Sequence, residues 1–378
     1  MSSLYVHIPF CQRKCVYCDF YSIETVSLMG TFLDALDTEI ALVGPVGEGV
    51  SFDTLFFGGG TPSLLAPSEL ERVMRSLRSA FAIRGDAEIT LETNPGTVSL
   101  EKLRQYRSLG VNRLSIGIQS FDENELRFLG RIHDAAEASR CVGLAREAGY
   151  GNVSVDLIYS LPGQTVGEWE RTLSTALALG PDHVSAYSLI VEDDTPLARM
   201  VSAKLVSPNP VEAEAVLYEH TMAVMERAGF EHYEVSSYAR PGFRSLHNSA
   251  YWSHAGYLGF GPSAHSFWAQ GNGGSQLRWA NVPALSRYCG SLRKGELPVA
   301  MREEMTCAQL CNERIFLGLR SSGVDLRRLG DEFGLPADRL ALAGALVEDG
   351  AAVMDRGTLR LTARGYMLCD EIAARMMV

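Results

Sequence analysis

Six short runs rich in β-branched and aromatic residues, each separated from the next by helix-length sequence, restrict this chain to a parallel α/β architecture. The runs cover positions 4–8, 54–57, 88–92, 113–119, 153–158 and 184–190. Parallel strands need a long crossover between them, and the intervening segments carry helical periodicity. After Ser68, the residues Leu70, Val73, Met74 and Leu77 share one helix face, with Ser68 and Glu71 expected as a capping box. Thr165 and Glu168 repeat that start signal before Trp169. The carboxyl ends of the runs carry Cys11, the glycines and threonine of 58–61, Glu92, Gln119 and Asp156. One rim that gathers so many polar groups favours a partial (β/α)6 barrel over a doubly wound sheet.

Past Val191 the pattern changes. Ser207-Pro208-Asn209-Pro210 punctuates a loop before a helix expected at 216–228, and an aromatic, Gly-rich segment runs from Tyr233 to Trp279. Beyond about Glu303 the chain reads as helical again, and Thr358-Leu359-Arg360-Leu361-Thr362 after Gly357 reads as one strand of a small hairpin. The expected division is a barrel over 1–232, a linking segment over 233–300 and a winged-helix-like α+β module over 301–378. Winged helices often bind DNA, but residues 324–378 hold seven Arg, no Lys and nine acids, a net of −2. The whole chain sets 34 basic against 45 acidic residues, a net charge of −11, which argues against nucleic acid and anionic lipid as partners. Its 46% hydrophobic content over 378 residues excludes disorder as the main description. No apolar run is long enough to span a bilayer and no signal-peptide profile opens the chain, so the expected compartment is the cytoplasm.

In a reducing compartment, clustered thiols point to metal chemistry rather than disulfides. Cys11-Gln12-Arg13-Lys14-Cys15-Val16-Tyr17-Cys18 places three of them within eight residues, directly after the first strand. A structural zinc site wants four protein ligands, whereas an iron–sulfur cubane held by three thiolates leaves one iron open. The alternatives are a zinc site completed by His7 or three core thiols. Gly58-Gly59-Gly60-Thr61 brings a turn without side chains to the same rim, so its backbone can approach a ligand closely. Glu92 ends its strand with a carboxylate able to accept two ribose hydroxyls. Cys307 and Cys311, four apart on a helix, read as core thiols, as do Cys141, Cys289 and Cys369.

The CxxxCxxC spacing after strand one resembles the signature of the radical S-adenosylmethionine superfamily. Tyr5, the loop 11–22, Gly58-Gly59-Gly60-Thr61-Pro62-Ser63 and His247-Asn248-Ser249-Ala250-Tyr251-Trp252 are similar to the branch that holds the oxygen-independent coproporphyrinogen III oxidases and the HemW-type heme chaperones. The resemblance covers nearly the whole chain. It implies a [4Fe-4S] cluster on Cys11, Cys15 and Cys18, with the methionyl end of S-adenosylmethionine on the open iron, where an electron from the cluster can split the sulfonium to a 5′-deoxyadenosyl radical. It also implies that Gly59, Gly60 and Thr61 receive the cofactor's amino group, that Glu92 holds the ribose, and that Tyr5 belongs to the same site. Gln119, Arg131, Asp156 and Tyr17 match positions around a second adenosylmethionine in the oxidases, and an ordinary polar network inside the barrel is the alternative.

Two departures from the oxidase pattern are informative. Asp19 and Phe20 follow Cys18 where the oxidases carry a further cysteine at the second position, and the long stretch before the first strand is missing. Both match the chaperone branch, as does Cys18-Asp19-Phe20-Tyr21-Ser22. In that branch the His247 motif is tied to heme. On the residues alone a hydrogen-bonded structural histidine is the alternative, and His254 and His265 are rival ligands or part of the same loop. The implied function is therefore heme binding and transfer to an acceptor hemoprotein, with a flavodoxin- or ferredoxin-type electron donor and with membrane contact only through the acceptor. Radical chemistry on a tetrapyrrole, such as coproporphyrinogen III oxidation, is the alternative, and no catalytic residue is assigned.

Overall fold

The computed structural model describes residues 1–269 and 275–378, so positions 270–274 of the Gly-rich segment lie outside the described residues. Its centre is six parallel strands, β1 (Ser2–Ile8), β2 (Ser51–Gly59), β3 (Ala82–Thr93), β4 (Arg113–Gln119), β5 (Val153–Tyr159) and β6 (His183–Ser188), paired in sequence order. They form a partial barrel. Successive side chains alternate between faces, and here the alternation sorts chemistry. Leu4, Val6 and Ile8, then Leu55 and Phe57, Leu114 and Ile116, and Val153 and Val155, are buried in the core shared with the helices. Their neighbours in sequence carry the interior polar bonds: Thr54 to Ser3 at 2.9 Å, Ser115 to Asp156 at 3.0 Å and Ser154 to His183 at 2.8 Å.

Helix Pro67–Ala80 buries Leu70, Val73, Met74 and Leu77, the expected face. Its start differs from the Ser68–Glu71 box. Pro67 presets the first turn, and the Ala66 N–H donates to the Glu69 carboxylate at 2.6 Å. Helix Val166–Ala178 begins as expected, with the Thr165 N–H donating to Glu168 at 2.8 Å and Glu168 N–H returning to the Thr165 hydroxyl at 3.3 Å. Helix Val211–Arg227 starts right after Pro210, five residues before the position expected.

The sheet grows beyond six strands at both edges. β7 (Glu231–Glu234) and β8 (Ser237–Ala239) follow β6 antiparallel. On the other side β9 (Gly256–Phe260) lies parallel to β1, and β10 (His265–Ala269), β11 (Gln276–Asn281) and β12 (Val299–Glu304) continue antiparallel, twelve strands among the described residues. Strands β7 to β12 thus carry the sheet through much of the described part of 231–304, and positions 233 and 301 both fall inside strands.

Short helix Leu246–Trp252 closes the amino-terminal end of the strands. The backbone N–H groups of Leu246 and His247 donate to the Glu88 carboxylate at 3.1 and 3.0 Å. A second core, built on Ile315, Leu319, Leu329, Leu359 and Met376, holds helices Cys307–Leu319, Leu326–Phe333 and Ala337–Glu348 against the small sheet β13 (Val324–Asp325), β14 (Ala352–Asp355) and β15 (Thr358–Leu361). The β14–β15 hairpin turns through Arg356 and Gly357, both at positive φ, as a two-residue turn requires. Cys311 is buried in this core, but Cys307, at the first position of its helix, is exposed beyond the core's edge. Among the described residues no helix is long and apolar enough to cross a membrane.

Candidate functional site

The loop after β1 is pinned at its base. Cys11 N–H donates to the Ile23 carbonyl at 3.0 Å and Ile23 N–H to the Pro9 carbonyl at 2.8 Å, so the intervening thiols are presented from a closed neck. Val16 is held from two sides, donating to the Leu129 carbonyl at 3.3 Å and accepting from Leu197 N–H at 2.9 Å. Cys11, Cys15 and Cys18 are half-buried, free thiols that share one wall of a cavity of about 400 Å³.

The glycine turn forms the facing wall, and its composition is forced. Gly59 has φ of 105°, and a Cβ there would meet the His7 ring at 2.7 Å. At Gly60 a Cβ would come within 2.6 Å of the Phe10 carbonyl oxygen, because the Gly60 N–H bonds to the Ile8 carbonyl at 2.9 Å. Thr61 directs its hydroxyl to the Cys11 sulfur at 3.6 Å and accepts from the Asn94 amide at 3.0 Å.

Glu92 lies deep in the chain yet faces the open cavity. Burial first, then the neighbouring Asp156 charge, pushes its carboxyl up to about 8. Asp156 accepts from the Ser115 hydroxyl, and burial raises its carboxyl as well. Gln119 reaches the cavity through strain: its φ is 74°, and the register of β4 against β5 shifts between Gly117 and Gln119. Such a bulge re-aims a side chain at the end of a strand. Tyr17 lines the same space and packs against Leu129, Ile158 and Leu161.

Arg131 supplies the test of whether a cluster fits. Its guanidinium donates to the Gly117 carbonyl at 2.6 Å, the Asn94 side chain at 2.8 Å and the Cys15 sulfur at 3.4 Å, while its Nε is buried without a partner. Among the described residues no carboxylate pairs with it, so a buried cation has only thiolate or cluster charge as its counterion. The donor set also argues against a single metal ion. Among the described residues no three Cys, His, Asp or Glu groups converge closely enough to hold one ion, whereas a cubane takes each thiolate on a separate iron. His7 does not complete a zinc site, since its Nε2 bonds the Tyr21 carbonyl at 2.7 Å and its Nδ1 the Tyr5 hydroxyl at 3.2 Å.

Tyr5 lines a neighbouring cavity, with its ring next to Gly58 and the Glu92 carboxylate of the thiol cavity. His247 is 1% exposed at the amino-terminal end of the barrel, stacked on Phe56 at 4.9 Å. Its Nδ1 meets the Thr54 hydroxyl at 2.8 Å and its Nε2 the Tyr251 hydroxyl at 3.0 Å. Both nitrogens are occupied, and burial, then Arg113, lowers its pKa to about 3, so in this structure the ring stands as a neutral interior anchor. Asn94, which ties Thr61 to Arg131, carries no role in the sequence reading. Its signal was its place two residues past Glu92 in Glu92-Thr93-Asn94-Pro95-Gly96.

Comparison with known proteins agrees with this geometry. Residues 5–176 match the Radical SAM superfamily and residues 306–368 the HemN C-terminal domain. The chain is 36% identical to the heme chaperone HemW of Bacillus subtilis, covering 98% of each chain. It is 34% identical to the mitochondrial radical S-adenosyl methionine domain-containing protein 1 of Bos taurus, over all of this chain and 87% of that one. The solved structure of coproporphyrinogen III oxidase (HemN) from Escherichia coli superposes with a TM-score of 0.85 at 26% identity, covering 100% of this chain and 90% of that one. With relatives of this identity along almost its entire length, the chain belongs to the HemW family of the radical SAM superfamily.

Proposed function

We propose that this protein is a heme chaperone that binds heme and delivers it to an acceptor hemoprotein. The observation that carries the reading is near-full-length identity with curated heme chaperones, joined to a thiol cavity whose residues suit the superfamily's cofactors. Cys11, Cys15 and Cys18 would hold a [4Fe-4S] cluster, leaving one iron for S-adenosylmethionine. The backbone of Gly59 and Gly60 with the Thr61 hydroxyl suits the methionyl end, and Glu92 suits the ribose. Gln119, Arg131, Asp156 and Tyr17 line the rest of the cavity and would orient the adenosyl group or a second copy of it. When bound, the cluster supplies a single electron at an open iron.

Glu92, Arg131 and Asp156 place charged groups in the cavity, and a flavodoxin- or ferredoxin-type protein is the class of donor such a cluster needs. The absence of a further thiol after Cys18, where Asp19 and Phe20 stand, favours carrying over coproporphyrinogen oxidation. The cytoplasm suits a thiol-ligated cluster, and the organisation proposed is a barrel extended by strands β7 to β12 and followed by the module with the second core.

The test is anaerobic hemin titration of cluster-loaded protein, followed by mixing with an apo-hemoprotein. One heme per chain that moves to the acceptor is expected. No stoichiometric binding, or turnover of coproporphyrinogen III, would overturn the reading.

A further inference from the structure

Beside the thiol cavity lies a second one of about 630 Å³, of the size that takes a cofactor-scale ligand. One wall is a row across the sheet extension, where Tyr257 of β9 pairs with Phe267 of β10 and Phe267 with Arg278 of β11. Tyr251 adds an edge-on ring 4.6 Å from Tyr257. Helix Cys307–Leu319 covers the row with Glu313, Phe316 and Leu317, and the cluster loop closes one side with Asp19, Phe20 and Tyr21. Flat aromatic surfaces on several sides suit a planar ligand.

Four histidines stand in or near this space, and they differ in what their nitrogens already bond. His7 and His247 have both nitrogens bonded, and His254 gives its Nε2 to Glu313 at 2.9 Å while stacking on Phe267 at 4.4 Å. His265 differs. Two residues before Phe267 on β10, it presents its ring on the same face, is exposed to the cavity and makes no hydrogen bond among the described residues. Arg278 gives Nη2 to Glu313 at 2.5 Å, but its Nη1 is 3.6 Å from Glu303, beyond hydrogen-bond reach, which leaves donors for a ligand carboxylate.

We infer that this aromatic cavity is the heme site, with His265 as the axial iron ligand and Arg278 facing a propionate. The inference rests on the chaperone reading and adds its location. Asp19 and Phe20 line both cavities, so the loop that carries Cys18 is the wall between heme and cluster. The HNxxYW motif then acts at one remove: His247 holds the Tyr251 hydroxyl, and Tyr251 lines the cavity.

The experiment is titration of cluster-loaded wild type, His265→Ala and His265→Met with hemin and, separately, with metal-free protoporphyrin IX. Wild type is expected to bind one hemin per chain. His265→Ala should bind hemin at least tenfold more weakly while its protoporphyrin affinity stays within twofold, because only the iron bond is lost. His265→Met, exposed and so safe for folding, should retain hemin with a shifted Soret band. Unchanged hemin affinity and spectrum in both variants, beside stoichiometric wild-type binding, would overturn the ligand assignment and leave the chaperone reading standing. Absence of hemin binding by wild type would overturn both.

Discussion

The interior position of His247 makes a quantitative prediction about acid. In the folded chain its pKa is about 3, against 6.5 for an unperturbed imidazole, with burial the main cause. A depressed histidine pKa means that the fold binds the proton worse than the unfolded chain does. The stabilisation from the neutral ring is therefore fully present above pH 6.5 and is lost as pH falls toward 3. At pH 5 the gap from 6.5 is one and a half units, and at about 1.4 kcal/mol per unit the wild type loses about 2 kcal/mol through this residue alone. Replacing it with Ala removes a buried ring and two hydrogen bonds, a cost of about 3–5 kcal/mol near pH 7.5. The variant has no imidazole to protonate, so its deficit should shrink by about 2 kcal/mol at pH 5. Other buried histidines, such as His183, titrate in both proteins and cancel in the difference. The assay is urea denaturation of wild type and His247→Ala at pH 7.5 and pH 5, followed by tryptophan fluorescence. A deficit that is constant between the two, or that grows in acid, would refute the buried neutral ring.

Two further outcomes test the thiol cavity. Cys18→Ala should lose both iron content and S-adenosylmethionine binding, whereas Glu92→Gln should keep its iron and bind the cofactor at least tenfold more weakly; equal affinity in Glu92→Gln would remove the ribose role. Gly60→Ala drives a methyl into the Phe10 and Ile8 carbonyl oxygens, with nothing but backbone to yield. It should cost about 1–3 kcal/mol of stability and impair cluster assembly, and a normally loaded, equally stable variant would show that the turn adjusts.

How much of this was legible depended on whether the information was local. β4 was readable to the residue because Arg113–Gln119 alternates cleanly, and the thiol loop was readable because ligand count is a property of three neighbouring residues. The first half of β3 escaped notice, since Ala82 to Asp86 lacks apolar alternation and is held by pairing with Ser51 and Phe52 instead. The strands of 256–304 escaped for the complementary reason. Tyr257 and Phe267 mark a face that becomes a cavity wall, while Phe260, Trp268 and Trp279 pack on the main core, so no single apolar alternation announces these strands. Gln119's positive φ and the Asn94 bridge between Thr61 and Arg131 are tertiary facts with no periodicity to announce them.

His247 shows what the sequence could not distinguish. An imidazole four residues before a tyrosine on a short helix meets that tyrosine in either role, as iron ligand or as anchor. What the structure adds is which end of the barrel the helix closes: Glu88 accepts its two first backbone N–H groups at the amino-terminal end. Loss of heme binding in a His247 variant therefore has an indirect route open to it, through release of the Tyr251 hydroxyl that the ring holds at 3.0 Å. Tyr251→Phe separates the two. It cuts the anchor while preserving both the imidazole and the aromatic wall, so a ligand His247 would leave the Soret spectrum intact with a freer Nε2, whereas an anchoring His247 predicts the same loosened wall as the histidine variant, in milder form.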